Sequence, residues 1–149
     1  MDEEEYTVVN FKELEKRIIR KLEEIRNHAL ERGFDCTNVA DMCDDVYRWS
    51  ILISPKNANV EEHGVDVTIH IAESEHHDGE ENGCNFMLDI VAYGGAVIGG
   101  CAPYNFTSQV WVPRDDWAAV DARWRIFDNS FGEDTVLDHI EFWWAKKAS

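Results

Sequence analysis

A chain of 149 residues, 44% of them hydrophobic, can bury one sizeable core but has no room for a second full domain, so residues 1–149 read as a single domain. With 9 glycines and 3 prolines it is neither collagenous, low in complexity nor mostly disordered. Thirty acidic residues against 14 basic ones give a formal charge of −16, which excludes binding of phosphate backbones through a general basic surface.

Residues 1–9 are expected to form a frayed acidic N-terminus, and their charge is opposite to the start of a secretory signal. Asn10 is placed to cap a helix, with Glu13 reaching back to it and Val9 and Leu14 forming a hydrophobic staple. Phe11, Leu14, Ile18, Leu22, Ile25 and Ala29 then fall on one stripe, and Gly33 ends the helix. Arg17, Lys21, Arg32 and the other charged residues between them read as a solvated outer face.

Three strands are predicted next. Over 46–54, Tyr47, Trp49, Ile51 and Ile53 alternate with Arg48, Ser50 and Leu52, and Pro55 closes the run. Over 65–71, Val65, Val67, Ile69 and Ile71 face inward while Asp66, Thr68 and His70 face outward. A polar loop over 73–83 leads to a third strand over 86–93, and the short links favour an antiparallel meander. The glycine pairs of 94–100 suggest a bend and a short fourth strand at 96–98, and 109–112 suggests another.

Pro113 is expected to open a helix with Asp115 and Asp116 in its first turn and Trp117, Val120, Trp124 and Phe127 on one stripe. Ser130 with Glu133 would cap a last helix carrying Val136, Ile140, Trp143 and Trp144, with Phe142 and Ile140 supporting the indoles from the core side. The predicted class is α+β: an N-terminal helix, a central antiparallel sheet of three to five strands in meander order, and two C-terminal helices packed on one sheet face.

Charge is unevenly spread. Residues 1–34 have a balance of −2 and residues 114–149 one of −3, whereas residues 35–113 hold 2 basic and 13 acidic side chains, a balance of −11. Such a field steers association with a basic partner, with carboxylates standing in for phosphates. The partner-binding candidates are Asp44, Asp45, Glu61, Glu62, Asp66 and Asp89 on the sheet region, and Trp143 and Trp144 on the last helix. Adjacent indoles on a helix diverge by about 100° and do not both bury against one surface, so one of them is a candidate interface anchor for a twin subunit or a foreign partner.

Chemical motifs are sparse. The run of 73–81 offers His76, His77 and several carboxylates near His70 and Cys84, but no HExxH and no calcium-loop spacing, so neither metal nor other cofactor is expected. Cys36, Cys43, Cys84 and Cys101 form no CxxC pair and read as reduced thiols in a cytoplasmic protein; Cys84 or Cys101 could serve as a nucleophile with His70, but small glycine-flanked cysteines read as buried thiols. Gly94 to Gly100 lacks the spacing of a phosphate-binding loop. Asp66, Thr68 and His70, with Arg48, Ser50 and Asp89 from neighbouring strands, could gather on one sheet face suited to acid–base chemistry or ligand binding.

The reading that follows is a non-enzymatic acidic protein that inhibits a nucleic-acid-handling protein by filling its basic groove, the charge logic of anti-restriction and anti-CRISPR inhibitors as a class. Two alternatives remain: an immunity protein or antitoxin that neutralises a basic toxin, and a small enzyme or ligand-binding domain using the Asp66, Thr68, His70 and Asp89 face. Neither direct nucleic-acid binding nor membrane insertion is expected.

Overall fold

The computed structural model describes residues 3–41, 47–74, 83–93, 112–113 and 117–148. In chain order these form α1 (Glu3–Glu31), β1 (Asp35–Cys36), β2 (Ala40–Asp41), β3 (Tyr47–Ser54), α2 (Val60–His63), β4 (Val65–Ser74), β5 (Gly83–Ala92), β6 (Val112–Pro113), α3 (Trp117–Ser130) and α4 (Glu133–Ala148). The architecture is α+β, with an antiparallel sheet in meander order between the N-terminal helix and the two C-terminal ones.

The expected alternation governs the sheet. β3 pairs with β4 from Tyr47 opposite Ile71 to Ile53 opposite Val65, and β4 pairs with β5 from Val65 opposite Ala92 to Ser74 opposite Gly83. Trp49, Ile51 and Ile53 thereby join Val65, Val67, Ile69 and Ile71, and then Phe86, Leu88 and Ile90, on one buried face. Leu14, Ile18, Leu22, Ile25 and Ala29 of α1 belong to the same core, as do Val120, Trp124 and Phe127 of α3 and Val136, Leu137 and Ile140 of α4. Aromatic rings link the layers: Trp124 stands edge-on to Phe86 with centroids 5.4 Å apart, and Phe127 bridges Trp124 to Phe131.

The edge strand formed by β1 and β2 is not legible as an alternation. Both pieces pair with β3, Cys36 opposite Ile53 and Ala40 opposite Ser50. Between them Thr37 holds the edge by donating its N–H to the Leu52 carbonyl and accepting the Leu52 N–H on its hydroxyl, each at 3.0 Å. This side-chain substitution for a ladder bond lets a polar, irregular segment serve as a sheet edge.

Several expected boundaries are corrected. α1 starts at Glu3, so Asn10 lies inside the helix and is not its cap, and residues 3–9 are helical. Three glutamates beside the helix N-terminus favour that earlier start through the helix dipole. β4 runs on through Ser74, so Glu73 and Ser74 are strand residues paired with Cys84 and Gly83. Pro113 lies in β6, opposite Gly83, where an edge position tolerates its missing N–H, and α3 begins at Trp117. Ser130 ends α3 with its hydroxyl donating to the Ile126 carbonyl at 2.8 Å, so it does not cap α4. The short strand expected at 96–98 lies outside the described residues, as do Asp115 and Asp116.

Gly33 ends α1 as expected, at φ 88°. Its N–H bonds the Leu30 carbonyl and the Phe34 N–H bonds the Ala29 carbonyl, both at 3.0 Å, a Schellman pair that needs a left-handed residue. The turn brings Phe34 edge-on to Trp144 with centroids 5.0 Å apart.

The charged face of α1 is also corrected, because much of it is an inter-helix seam. Arg17 bonds Asp121 of α3. Lys21 reaches Asp128 at 2.8 Å and Glu133 at 3.3 Å. Arg32 gathers Asp134, Asp138 and Glu141 of α4 at 2.9, 3.0 and 2.9 Å. The helix layer therefore matches its own basic and acidic side chains against each other.

Candidate functional site

The face of the sheet turned away from the core carries the polar residues. Cross-strand register sets Ser50, Thr68 and Asp89 in one row, with Arg48 opposite His70 in the next and Leu52, Asp66 and Val91 on the other side. This is the constellation expected from the alternation of β3 and β4.

One contact stands out within it. His70 Nε2 lies 3.0 Å from Asp89 Oδ2, a diagonal cross-strand pair in which the imidazole donates to the carboxylate when that nitrogen carries its proton. Both side chains are partly buried. A carboxylate at this distance fixes the imidazole's tautomer and orientation, as an acid–base or ligand-orienting histidine requires. Thr68 and Ser50, half-buried in the row with Asp89, add two hydroxyls.

Asp66 lies four residues from His70, about 13 Å along the strand. Burial pushes its carboxyl above the usual carboxylate range. A raised carboxyl costs stability once it ionises, so the penalty is absent at low pH and appears as pH rises through the ordinary aspartate range and into the raised one. Asp66→Asn should therefore raise the melting temperature by a few degrees at pH 7, and the gain should vanish in melts at about pH 4. A gain of equal size at both pH values would show that Asp66 carries no ionisation cost.

The other expected site residues divide. Glu61 and Glu62 are exposed on α2, the single turn that leads into β4 and is capped by Asn59, whose Oδ1 accepts the Glu61 N–H at 2.8 Å. Glu62 faces His63 at 3.6 Å, and its carbonyl accepts from Lys147. Asp44 and Asp45 lie outside the described residues. Glu61, Glu62, Asp66 and Asp89 thus descend in sequence from α2 onto the polar sheet face.

Trp143 and Trp144 are both half-buried, so neither is fully core nor fully exposed. Trp144 Nε1 donates to the His63 carbonyl at 2.8 Å, while Trp143 is capped by the Lys147 ammonium 4.9 Å from its ring. Phe142 does not support them from the core side: it is 68% exposed, because two residues past Ile140 it points to about the opposite side of the helix from the stripe of Leu137 and Ile140.

His76, His77 and Cys101 lie outside the described residues, and no group of three or more His, Cys, Asp or Glu side chains suited to a metal ion occurs among the described ones. Cys36 is a free thiol whose pKa burial pushes up to about 11, with Arg26 pulling weakly the other way, so it is protonated and a poor nucleophile at neutral pH. No described helix is long and apolar enough to cross a membrane. No family model, curated protein or solved structure matches the chain.

Proposed function

We propose that the protein is a non-enzymatic acidic inhibitor that occupies the basic groove of a nucleic-acid-handling protein, presenting the carboxylates of the sheet side in place of phosphates. The observation that carries this reading is the segregation of charge. In the helix layer Arg17, Lys21 and Arg32 are matched to carboxylates of α3 and α4, whereas residues 35–113 hold 13 acidic side chains against 2 basic ones. The unbalanced charge thereby falls in the stretch of sequence that contains the sheet and α2, which favours fast, oriented encounter with a cationic surface.

The test is capture from the source cell at low salt, with elution by rising salt and identification by mass spectrometry. The expected catch is a nuclease or other nucleic-acid-binding protein that DNA or RNA competes away. A variant with Glu61 and Glu62 changed to Gln and Asp66 and Asp89 changed to Asn should associate about tenfold more slowly, with a flatter salt dependence and an unchanged fold. Equal association rates for variant and parent at low salt would refute the reading. A catch consisting of a basic toxin would replace the inhibitor by an immunity protein.

A second reading, use of the polar sheet face to bind or convert a small ligand, is favoured by the 3.0 Å contact between His70 and Asp89. It differs in one measurable respect: His70→Gln would abolish it, while scarcely altering a salt-dependent protein association.

A further inference from the structure

Asp66 is flanked by apolar side chains on the polar face of the sheet. The register of β4 puts Leu52 of β3 and Val91 of β5 directly opposite Asp66, one on each side. Directly opposed side chains have Cβ atoms about 4.5–5.5 Å apart, so the carboxyl is held between two aliphatic walls. A third apolar group closes one end. Gly64, two residues before Asp66 in extended backbone, turns to the same face, and a Cβ there would lie 2.9 Å from Val60 Cγ1 and 3.2 Å from Leu52 Cδ1. The α2 turn thus brings Val60 down beside Leu52. Leu52, Asp66 and Val91 are all half-buried, so the carboxylate is partly desolvated yet still reachable from solvent.

Among the described residues no cation meets the Asp66 carboxylate and no side chain hydrogen-bonds it. The basic residues of the sheet region are Arg48 and Lys56. Arg48 stands opposite His70, four residues along β4 from Asp66, and Lys56 lies beyond the end of β3. Asp89, the diagonal neighbour on β5, already has His70 at 3.0 Å. On α2, Glu61 and Glu62 add acid, and His63 faces Glu62 at 3.6 Å. Desolvation without a counter-charge raises the Asp66 carboxyl, and the fold alone would be better served by an asparagine. Ionised groups held at a cost to stability are typical of functional surfaces. The walls define the missing cation: Leu52 and Val91 suit an aliphatic stem laid along them with its charged head on the carboxylate. Neither is an aromatic ring on which a guanidinium would stack, and a metal ion would find one carboxylate among hydrocarbon.

We propose that Asp66, between Leu52 and Val91, is the socket for one lysine side chain of the basic partner and thereby fixes where that partner docks on the acidic surface. This assignment rests on the partner-binding reading above and adds to it a single anchor point.

The probe is hexalysine, titrated into the full chain at low salt and near-neutral pH and compared with the hexamer of 2,4-diaminobutyric acid, which carries the same amines on stems two methylenes shorter. Asp66→Asn should weaken hexalysine binding about fivefold, whereas Glu23→Gln, which removes one charge from an exposed position on α1, should weaken it less than about twofold. The shorter-stemmed peptide should bind the parent several-fold more weakly than hexalysine, and the two peptides should bind Asp66→Asn alike. On saturation with hexalysine the titration midpoint of the Asp66 carboxyl, followed by its ¹³C resonance, should fall by about one pH unit, further than those of Glu61 and Glu62. Equal losses in the two variants, with hexalysine still bound by the parent, would overturn the socket and leave the acidic-partner reading standing. Equal affinity of the parent for the two peptides would overturn the socket as well, and no binding of hexalysine by the parent would overturn both.

Discussion

Lys21→Ala is expected to cost about 3 kcal/mol at pH 7, at the low end for removing one partner of a buried ion pair. Lys21 is 4% exposed, and its ammonium touches Asp128 and Glu133 together with the Asp128 carbonyl at 3.1 Å. Both carboxylates keep some contact with water, which lessens what each loses when the cation is removed. Burial works to raise the Glu133 carboxyl, but its own backbone N–H, Lys21 and Glu24 together hold it below its ordinary range. Glu24 moves the other way, raised by burial and by its hydrogen bond to Glu133. The lysine thus sustains a crowded group of carboxyls at the junction of α1, α3 and α4.

The pH dependence gives the sign. A carboxyl held low in the fold contributes stability above its unfolded pKa and loses it as pH falls through the lower folded value. In Lys21→Ala that support is gone and the crowded carboxyls take up protons more readily, so the deficit should shrink between pH 7 and about pH 4, below the ordinary glutamate value. Lys21→Met keeps the apolar stem and removes only the charge, and it should cost less than Lys21→Ala at pH 7. Urea denaturation of the three proteins at both pH values measures this. A pH-independent deficit would mean that the lysine acts through packing alone.

That seam also marks where sequence stopped being informative. The strand faces were legible because a period of two assigns each residue to core or surface before any partner is known, and Val65, Val67, Ile69 and Ile71 lie where that rule puts them. The polar row followed from the same rule once the meander was assumed. Helical charges carry no such rule. Arg17 and Lys21 have carboxylates at helical spacing within α1, and nothing local says that their partners, or those of Arg32, are more than a hundred residues away.

The edge strand was illegible for a related reason. Asp35 to Asp41 has no alternation, and its place in the sheet depends on the Thr37 bonds to Leu52. The surroundings of Trp49 were hidden as well, since it reads from its spacing as an ordinary core residue. Its unmatched indole N–H is a property of three-dimensional surroundings alone.

The two adjacent indoles of α4 should separate on substitution. Trp144→Ala removes an edge-on contact with Phe34 and the 2.8 Å bond to the His63 carbonyl, both of which tie the end of α4 to the turns that flank the sheet. The loss should be about 2–3 kcal/mol, below the 3–5 kcal/mol of a fully buried aromatic because the ring is half-buried. Trp143→Ala removes its contact with Lys147 and the part of its ring packed against the core, and should cost less than Trp144→Ala, about 1–2 kcal/mol. Of the two, Trp143 is the candidate for association, next in sequence to the exposed Phe142. Denaturation curves and sedimentation or capture assays on both variants separate stability from binding. Equal losses of stability in the two variants, with association unchanged, would make both rings structural and leave the acidic sheet side as the only interface.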